Sequence, residues 1–113
     1  MDIEEFRSYC LSKPGVTEEF PFGPETLVFK LKGKIFAIAP LDADRFRVNL
    51  KCDPDTALTL REQYEEVQPG YHMNKRHWNT VDFQSRLSDR FLKAQIDRSY
   101  DLVKSTLPIK DRF

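Results

Sequence analysis

Between residues 26 and 51 the chain alternates apolar and polar side chains in short runs divided by tight turns, and no other feature limits its possible folds as strongly. Residues 26–32 place Leu27, Phe29 and Leu31 on one side and Val28, Lys30 and Lys32 on the other. Lys32-Gly33-Lys34 turns the chain into Ile35-Phe36-Ala37-Ile38-Ala39, whose unbroken apolarity suits a central strand. Residues 40–44 turn it again, and residues 45–51 direct Phe46, Val48 and Leu50 inward and Arg45, Arg47, Asn49 and Lys51 outward. The expectation is an antiparallel meander with one apolar and one basic face. A half-exposed sheet carries such a polar face whether or not it binds anything, so a merely solvated face is the commoner outcome.

The flanking segments read as helices with defined ends. Asp2 and Glu5 form a capping box ahead of Ile3, Phe6 and Tyr9/Cys10, and Lys13-Pro14-Gly15 stops that helix. The prolines and glycine of Glu18-Glu19-Phe20-Pro21-Phe22-Gly23-Pro24 predict no regular element over residues 16–25, with Phe20 and Phe22 pinning a loop to the core or lining a ligand groove. Asp53 and Pro54 start a second helix, whose stripe is Ala57, Leu60, Tyr64 and Val67 and whose solvated acids are Glu62, Glu65 and Glu66. A turn at Pro69-Gly70, an extended piece and a strand near residues 78–83 follow. Ser88 caps a last helix with Leu92, Ile96, Tyr100, Val103 and Leu107 on one face, and Pro108 ends it. The predicted order is α-β-β-β-α-β-β-α, an α+β fold with helices packed on one face of an antiparallel sheet.

A chain of 113 residues with no internal repeat or linker reads as a single domain, 1–113. Eighteen Lys/Arg against eighteen Asp/Glu give a pI near 6.7, below the roughly pI 9 typical of proteins that hold nucleic acid by bulk charge. A local field can still act where the sum is zero. Cys10 and Cys52 fit reduced thiols rather than a disulfide framework. The acidic start Met1-Asp2-Ile3-Glu4-Glu5 is unlike a signal peptide, and the longest apolar run, residues 35–39, falls far short of the roughly 20 needed to span a bilayer. A cytoplasmic monomer without a membrane partner is expected.

Residues 69–80 concentrate the chemistry: both histidines, the single tryptophan, a Lys-Arg pair, two asparagines and no acid. His72 and His77, five apart, fall on opposite faces of a regular strand, and no Cys or carboxylate in the run completes a set of four ligands, so no metal is expected. No nucleophile elbow, phosphate-binding loop or dinucleotide fingerprint is present, so neither an enzyme nor a cofactor is expected. Nucleic acid fits the residue types best. Lys75, Arg76 and Lys51 suit phosphates, Asn74, Asn79 and His72 can hydrogen-bond, and Tyr71, His77 or Trp78 can stack, with Arg45 and Arg47 extending the surface. Against this, Trp78 is at least as readily a core anchor.

These residues also resemble a known family. Lys13-Pro14-Gly15, Phe20-Pro21-Phe22-Gly23, Val28-Phe29-Lys30, Gly33-Lys34-Ile35-Phe36-Ala37, Leu50-Lys51-Cys52, Asp97-Arg98-Ser99-Tyr100 and the whole block from Pro69 through Tyr71, His72, Asn74, Lys75, Arg76, His77 and Trp78 to Asn79 are similar to the MmcQ/YjbR family. The resemblance implies a fold like that of CyaY and type III secretion chaperones. It also implies a proposed DNA-binding role with a double-wing arrangement, and no catalytic residues. The function expected is DNA binding. The alternatives are a small anionic or phosphorylated ligand held in a pocket under residues 71–79, or a chaperone-like protein-interaction module.

Overall fold

The computed structural model describes residues 1–112. Its elements run α1 (Ile3–Leu11), β1 (Val16–Glu19), β2 (Thr26–Leu31), β3 (Lys34–Pro40), β4 (Arg47–Lys51), α2 (Pro54–Gln63), β5 (Val67–Pro69), β6 (Trp78–Asp82) and α3 (Asp89–Ser105), with a 3-10 turn at Ile109–Asp111. The sheet is antiparallel in the order β1-β2-β3-β4-β6-β5. The α+β class and the meander stand as expected, with one strand more than expected before the second helix. That strand is β1, where a loop was predicted. The prolines that argued against it begin at Pro21, whereas Val16–Glu19 lie before them and pair along β2, Val16 opposite Leu31 and Glu19 opposite Val28.

Local chemistry accounts for the element ends. Asp2 accepts the Glu5 amide at 2.8 Å while Glu5 accepts that of Asp2, closing the capping box. Lys32 and Gly33 both take positive φ, 50° and 80°, the geometry a two-residue hairpin needs between Leu31 and Lys34. Asp53 caps α2 by accepting the Thr56 amide at 3.0 Å, and that hydrogen bond holds its pKa below the ordinary carboxylate value. Two other expectations need correction. The second helix ends at Gln63, so Val67 belongs to β5, where it is buried opposite Val81. Glu66 is not a solvated helical acid: its side chain is 10 % exposed and pairs with Arg86 at 2.7 Å.

One apolar face of the sheet carries the core. Phe6 of α1 meets the rings of Phe29, Phe46 and Phe83 edge-on, with centroids 5.4 to 5.5 Å apart, so one side chain joins α1 to β2 and to the approaches of β4 and β6. Leu92, Ile96, Tyr100 and Val103 of α3 complete it. Ser99 of α3 donates to the Phe36 carbonyl and accepts the Lys51 amide at 2.8 Å. It thereby satisfies backbone groups at the β3 irregularity near Phe36 and at the end of β4. Phe20 and Phe22 do not pin their loop to the core. They are 47 % and 65 % exposed, because the turn through Pro21 and Gly23 carries them past the end of the sheet.

A second clasp joins α1 to α3. Tyr9 donates to Asp97 at 2.7 Å, Lys13 reaches the same oxygen at 2.6 Å, and the Lys13 ammonium lies 5.1 and 5.0 Å from the Tyr9 and Tyr100 ring centres. The Tyr100 hydroxyl donates to the Pro14 carbonyl at 2.7 Å, which fastens the end of the Lys13-Pro14-Gly15 stop. Burial, then the bond to Asp97, push the Tyr9 pKa from 10.0 to about 12. The fold therefore keeps this phenol neutral, and the stabilisation, complete below pH 10, is lost as pH rises through about 12. Tyr9→Phe should show a shallower fall in Tm across that window than the parent protein. Equal slopes would contradict the clasp.

Candidate functional site

The register of β4 with β6 sorts the side chains between two faces. Opposite pairs are Arg47–Asp82, Val48–Val81, Asn49–Thr80, Leu50–Asn79 and Lys51–Trp78. Val48, Leu50, Asn79 and Val81 therefore look toward the helices, and Arg47, Asn49, Lys51, Trp78, Thr80 and Asp82 lie on the open face. Asn49 is there as expected, yet it is 7 % exposed because the chain beyond Gly70 folds back over it. Its Nδ2 donates to the Tyr71 carbonyl at 3.3 Å, Thr80 Oγ1 donates to its Oδ1, and the Tyr71 amide donates to Thr80 Oγ1 at 2.9 Å.

The rest of the loop is held by Arg61, from the last turn of α2. Its Nε donates to Asn79 Oδ1 at 2.7 Å, and its Nη2 donates to the carbonyls of Lys75 and, at 3.2 Å, Trp78. Asn79 Nδ2 in turn donates to the Ala57 carbonyl at 3.5 Å. Within the loop, the Met73 amide meets the Gly70 carbonyl at 3.2 Å, and the Arg76 amide meets Asn74 Oδ1 at 2.9 Å. The His77 amide meets the Asn74 carbonyl at 3.2 Å. His72 sits at φ 59°, a left-handed conformation costly for a residue with a Cβ. Sequence reasoning did not single out Arg61, which beside Glu62 looks like a surface cation. Its one signal is spacing: it lies one helical turn beyond Ala57, a residue of the buried stripe.

The residues predicted for the site divide into groups. Tyr71 is 68 % exposed, its ring centre 4.0 Å from that of His72, and His72, Asn74, Lys75 and Arg76 are also exposed. His77, Trp78 and Lys51 are half-buried, and Trp78 lies outside the hydrophobic cluster on the open face. Asn79 is 2 % exposed and fully engaged by Arg61 and Ala57, so it braces the loop from inside. Arg45 is spent on Asp82 and the Gln84 carbonyl, both at 2.9 Å, and Arg47 stands between Asp44, 3.9 Å away, and its cross-strand neighbour Asp82. The basic face expected for the meander thus shrinks to its Lys51 end. Among the described residues Lys51, Lys75 and Arg76 form no salt bridge. Lys75 Nζ reaches the Gly70 carbonyl at 3.2 Å.

Farther along the same face, a concavity of about 530 Å³ opens between residues 40–43 and residues 65–71. Of residues 71–79 Tyr71 alone lines it, and its charged lining is Asp42, Glu65, Glu66, Asp82 and Arg47. Among the described residues no three His, Cys, Asp or Glu side chains gather as a metal-binding set, and no helix is long and apolar enough to cross a membrane.

The sequence from residue 11 to residue 102 matches the family model described as YjbR. This chain belongs to the YjbR family. It is 38 % identical over 109 residues to YbdF of Escherichia coli O157:H7, covering 96 % of this chain and 89 % of that protein. It is 33 % identical over 112 residues to YjbR of Escherichia coli K12, covering 99 % and 95 %. Its fold is similar to the crystal structure of the Deinococcus radiodurans protein DR2400, with a TM-score of 0.90 and 34 % identity over 96 % of this chain and 83 % of that one. A Pseudomonas syringae crystal structure is similar at TM-score 0.79 and 26 % identity, covering 91 % and 99 %. The resemblance drawn from the block around Trp78 is thereby established at the level of family, and the clamp around that block is this chain's geometry for it.

Gly70 supplies a direct test of that geometry. A Cβ there would lie 2.7 Å from Trp78 Cβ and 2.9 Å from the Trp78 carbonyl oxygen. Gly70→Ala should cost about 2 kcal/mol through this overlap, read as a shift in the denaturant midpoint. A variant as stable as the parent would show that the strand and loop are not packed this closely.

Proposed function

We propose that this protein binds DNA through the exposed loop of residues 71–77 and the adjoining corner formed by Lys51 and Trp78. The observation that supports the reading most is that Lys51, Lys75 and Arg76 carry charge with no acid partner among the described residues, next to the exposed rings of Tyr71 and His72. Cations without internal partners can release counterions from phosphates, and neighbouring rings can stack on bases. The backbone of this loop is braced by Arg61 and Asn49, so little ordering entropy opposes binding. Arg45 and Asn79 drop out of the proposed contact set because both serve internal bonds. The cytoplasm remains the proposed location.

A small anion held beneath the loop is the weaker reading, since the concavity beside Tyr71 is edged by four carboxylates against Arg47. The protein-interaction reading draws on a different observation. Phe20, Phe22 and Leu41 are all exposed at one end of the sheet, where the Leu41 amide also bonds the Glu25 carbonyl at 2.7 Å. Sedimentation equilibrium tests self-association through that end, and a monomer at all concentrations counts against it.

A duplex titration at several salt concentrations tests the DNA reading. With Lys51, Lys75 and Arg76 each on one phosphate, the logarithm of the affinity should fall against that of salt with a slope of about −3. The double variant Lys75→Ala/Arg76→Ala should lose about two units of that slope. A folded double variant with unchanged affinity and slope, or a parent protein that does not bind at low salt, would overturn the proposal.

A further inference from the structure

Around the loop of residues 71–77 the amide side chains suited to base edges are occupied, while a ring suited to base faces is open. Asn49 and Asn79 are buried and spent on internal hydrogen bonds, and Asn74 gives its Oδ1 to the Arg76 amide at 2.9 Å. No asparagine therefore keeps both amide atoms for the bidentate contact that reads adenine. Residues 71–77 themselves form neither helix nor strand, the elements that fit a major groove. Tyr71 is different. It is 68 % exposed and its hydroxyl makes no hydrogen bond among the described residues. Its backbone is nevertheless fixed, the amide donating to Thr80 Oγ1 at 2.9 Å and the carbonyl accepting from Asn49 Nδ2 at 3.3 Å. Successive side chains of an extended chain point to opposite sides. The left-handed turn at His72, φ 59°, instead brings its ring against that of Tyr71, with centroids 4.0 Å apart. Backbone strain of that kind persists only where surrounding bonds impose it, and it clusters at binding sites.

We infer that the loop takes an unpaired stretch of DNA, one base stacking on Tyr71 while neighbouring phosphates meet Lys75, Arg76 and Lys51, a narrowing that rests on the DNA reading above. Lys75 Nζ lies 3.2 Å from the carbonyl of Gly70, the residue before Tyr71, which puts ammonium and ring within the span of one nucleotide. None of the three cations has an acid partner among the described residues, and residues 71–77 contain no carboxylate to repel a strand. Three cations are few for a chain of zero net charge to hold DNA by charge alone, so the stack supplies the remainder. In a duplex the base faces are covered by their neighbours, and a protein ring reaches one only after the step is unstacked. An unpaired strand offers those faces freely. Every base has a π face, so the preference is for the unpaired state rather than for a sequence. A duplex keeps the phosphate contacts alone and binds more weakly.

Fluorescence anisotropy with a labelled oligothymidylate, a mixed-sequence duplex and an abasic strand, all of one length, tests this. The oligothymidylate should bind at least tenfold more tightly than the duplex at moderate salt. Its logarithmic affinity should fall against that of salt with a slope of about −2, against about −3 for the duplex, since a single strand releases fewer counterions per phosphate. The abasic strand keeps the phosphates and should bind at least tenfold less tightly than the oligothymidylate. Tyr71→Phe should retain the preference for the unpaired strand. Tyr71→Ala, which removes an exposed side chain and no side-chain hydrogen bond, should lose it with the slopes unchanged. Equal affinity for oligothymidylate and duplex, an abasic strand bound as well as the oligothymidylate, or a Tyr71→Ala protein with its preference intact would each overturn the stacking site. Duplex binding that still weakens in Lys75→Ala/Arg76→Ala would then leave the DNA reading standing. No binding to any of the three probes would overturn both.

Discussion

One guanidinium decides where the most polar stretch of this chain goes. Arg61 projects from α2 and bonds an asparagine side chain and two carbonyls, all of them 14 to 18 residues farther along the sequence. A cation that donates to backbone carbonyls draws the chain inward while adding no acid to the loop. Lys75 and Arg76, flanking the bonded carbonyl, are left without internal counter-charges among the described residues. A glutamate in that place would have brought a negative charge beside those cations. The choice of an arginine donor to carbonyls is thus what makes an ordered loop and an uncompensated positive surface compatible.

The clamp works because the sheet beneath it is fixed from the other side. Phe6 gathers the rings of three segments, and the Tyr9, Lys13 and Asp97 clasp ties α1 to α3. Ser99 then reaches from α3 to the Lys51 amide, so the strand end that carries Lys51 is positioned from the core. Across the open face the charges separate: Lys51 with Lys75 and Arg76 at one end, Asp42, Glu65, Glu66 and Asp82 toward the other. A formal net charge of zero conceals that polarity. The two ends of one face therefore carry local fields of opposite sign.

Periodicity made β2 through β4, α1 and α3 legible, since alternation and helical spacing fix which side chains share a face. It failed where one burial pattern suits two geometries. Tyr64 and Val67 continue the α2 stripe by spacing, but the chain is extended at Tyr64 and buries Val67 from a strand. The prolines after Glu19 hid β1, and Phe20 and Phe22 were misplaced because large rings need not be buried when the turn that carries them leaves the sheet. The site was legible as a block of residue types around Trp78. Which of them face out was not, because Asn79 and Arg45 find their partners across 18 and 37 residues of sequence. Long-range bonds of that kind leave no local signature.

Amide hydrogen exchange in Arg61→Ala tests whether the Arg61 clamp orders the loop. Exchange at Met73, Arg76 and His77 should become much faster, while the amides of β3, β4 and α3 keep their protection. A variant whose loop amides remain as protected as in the parent protein, in an intact fold, would contradict it.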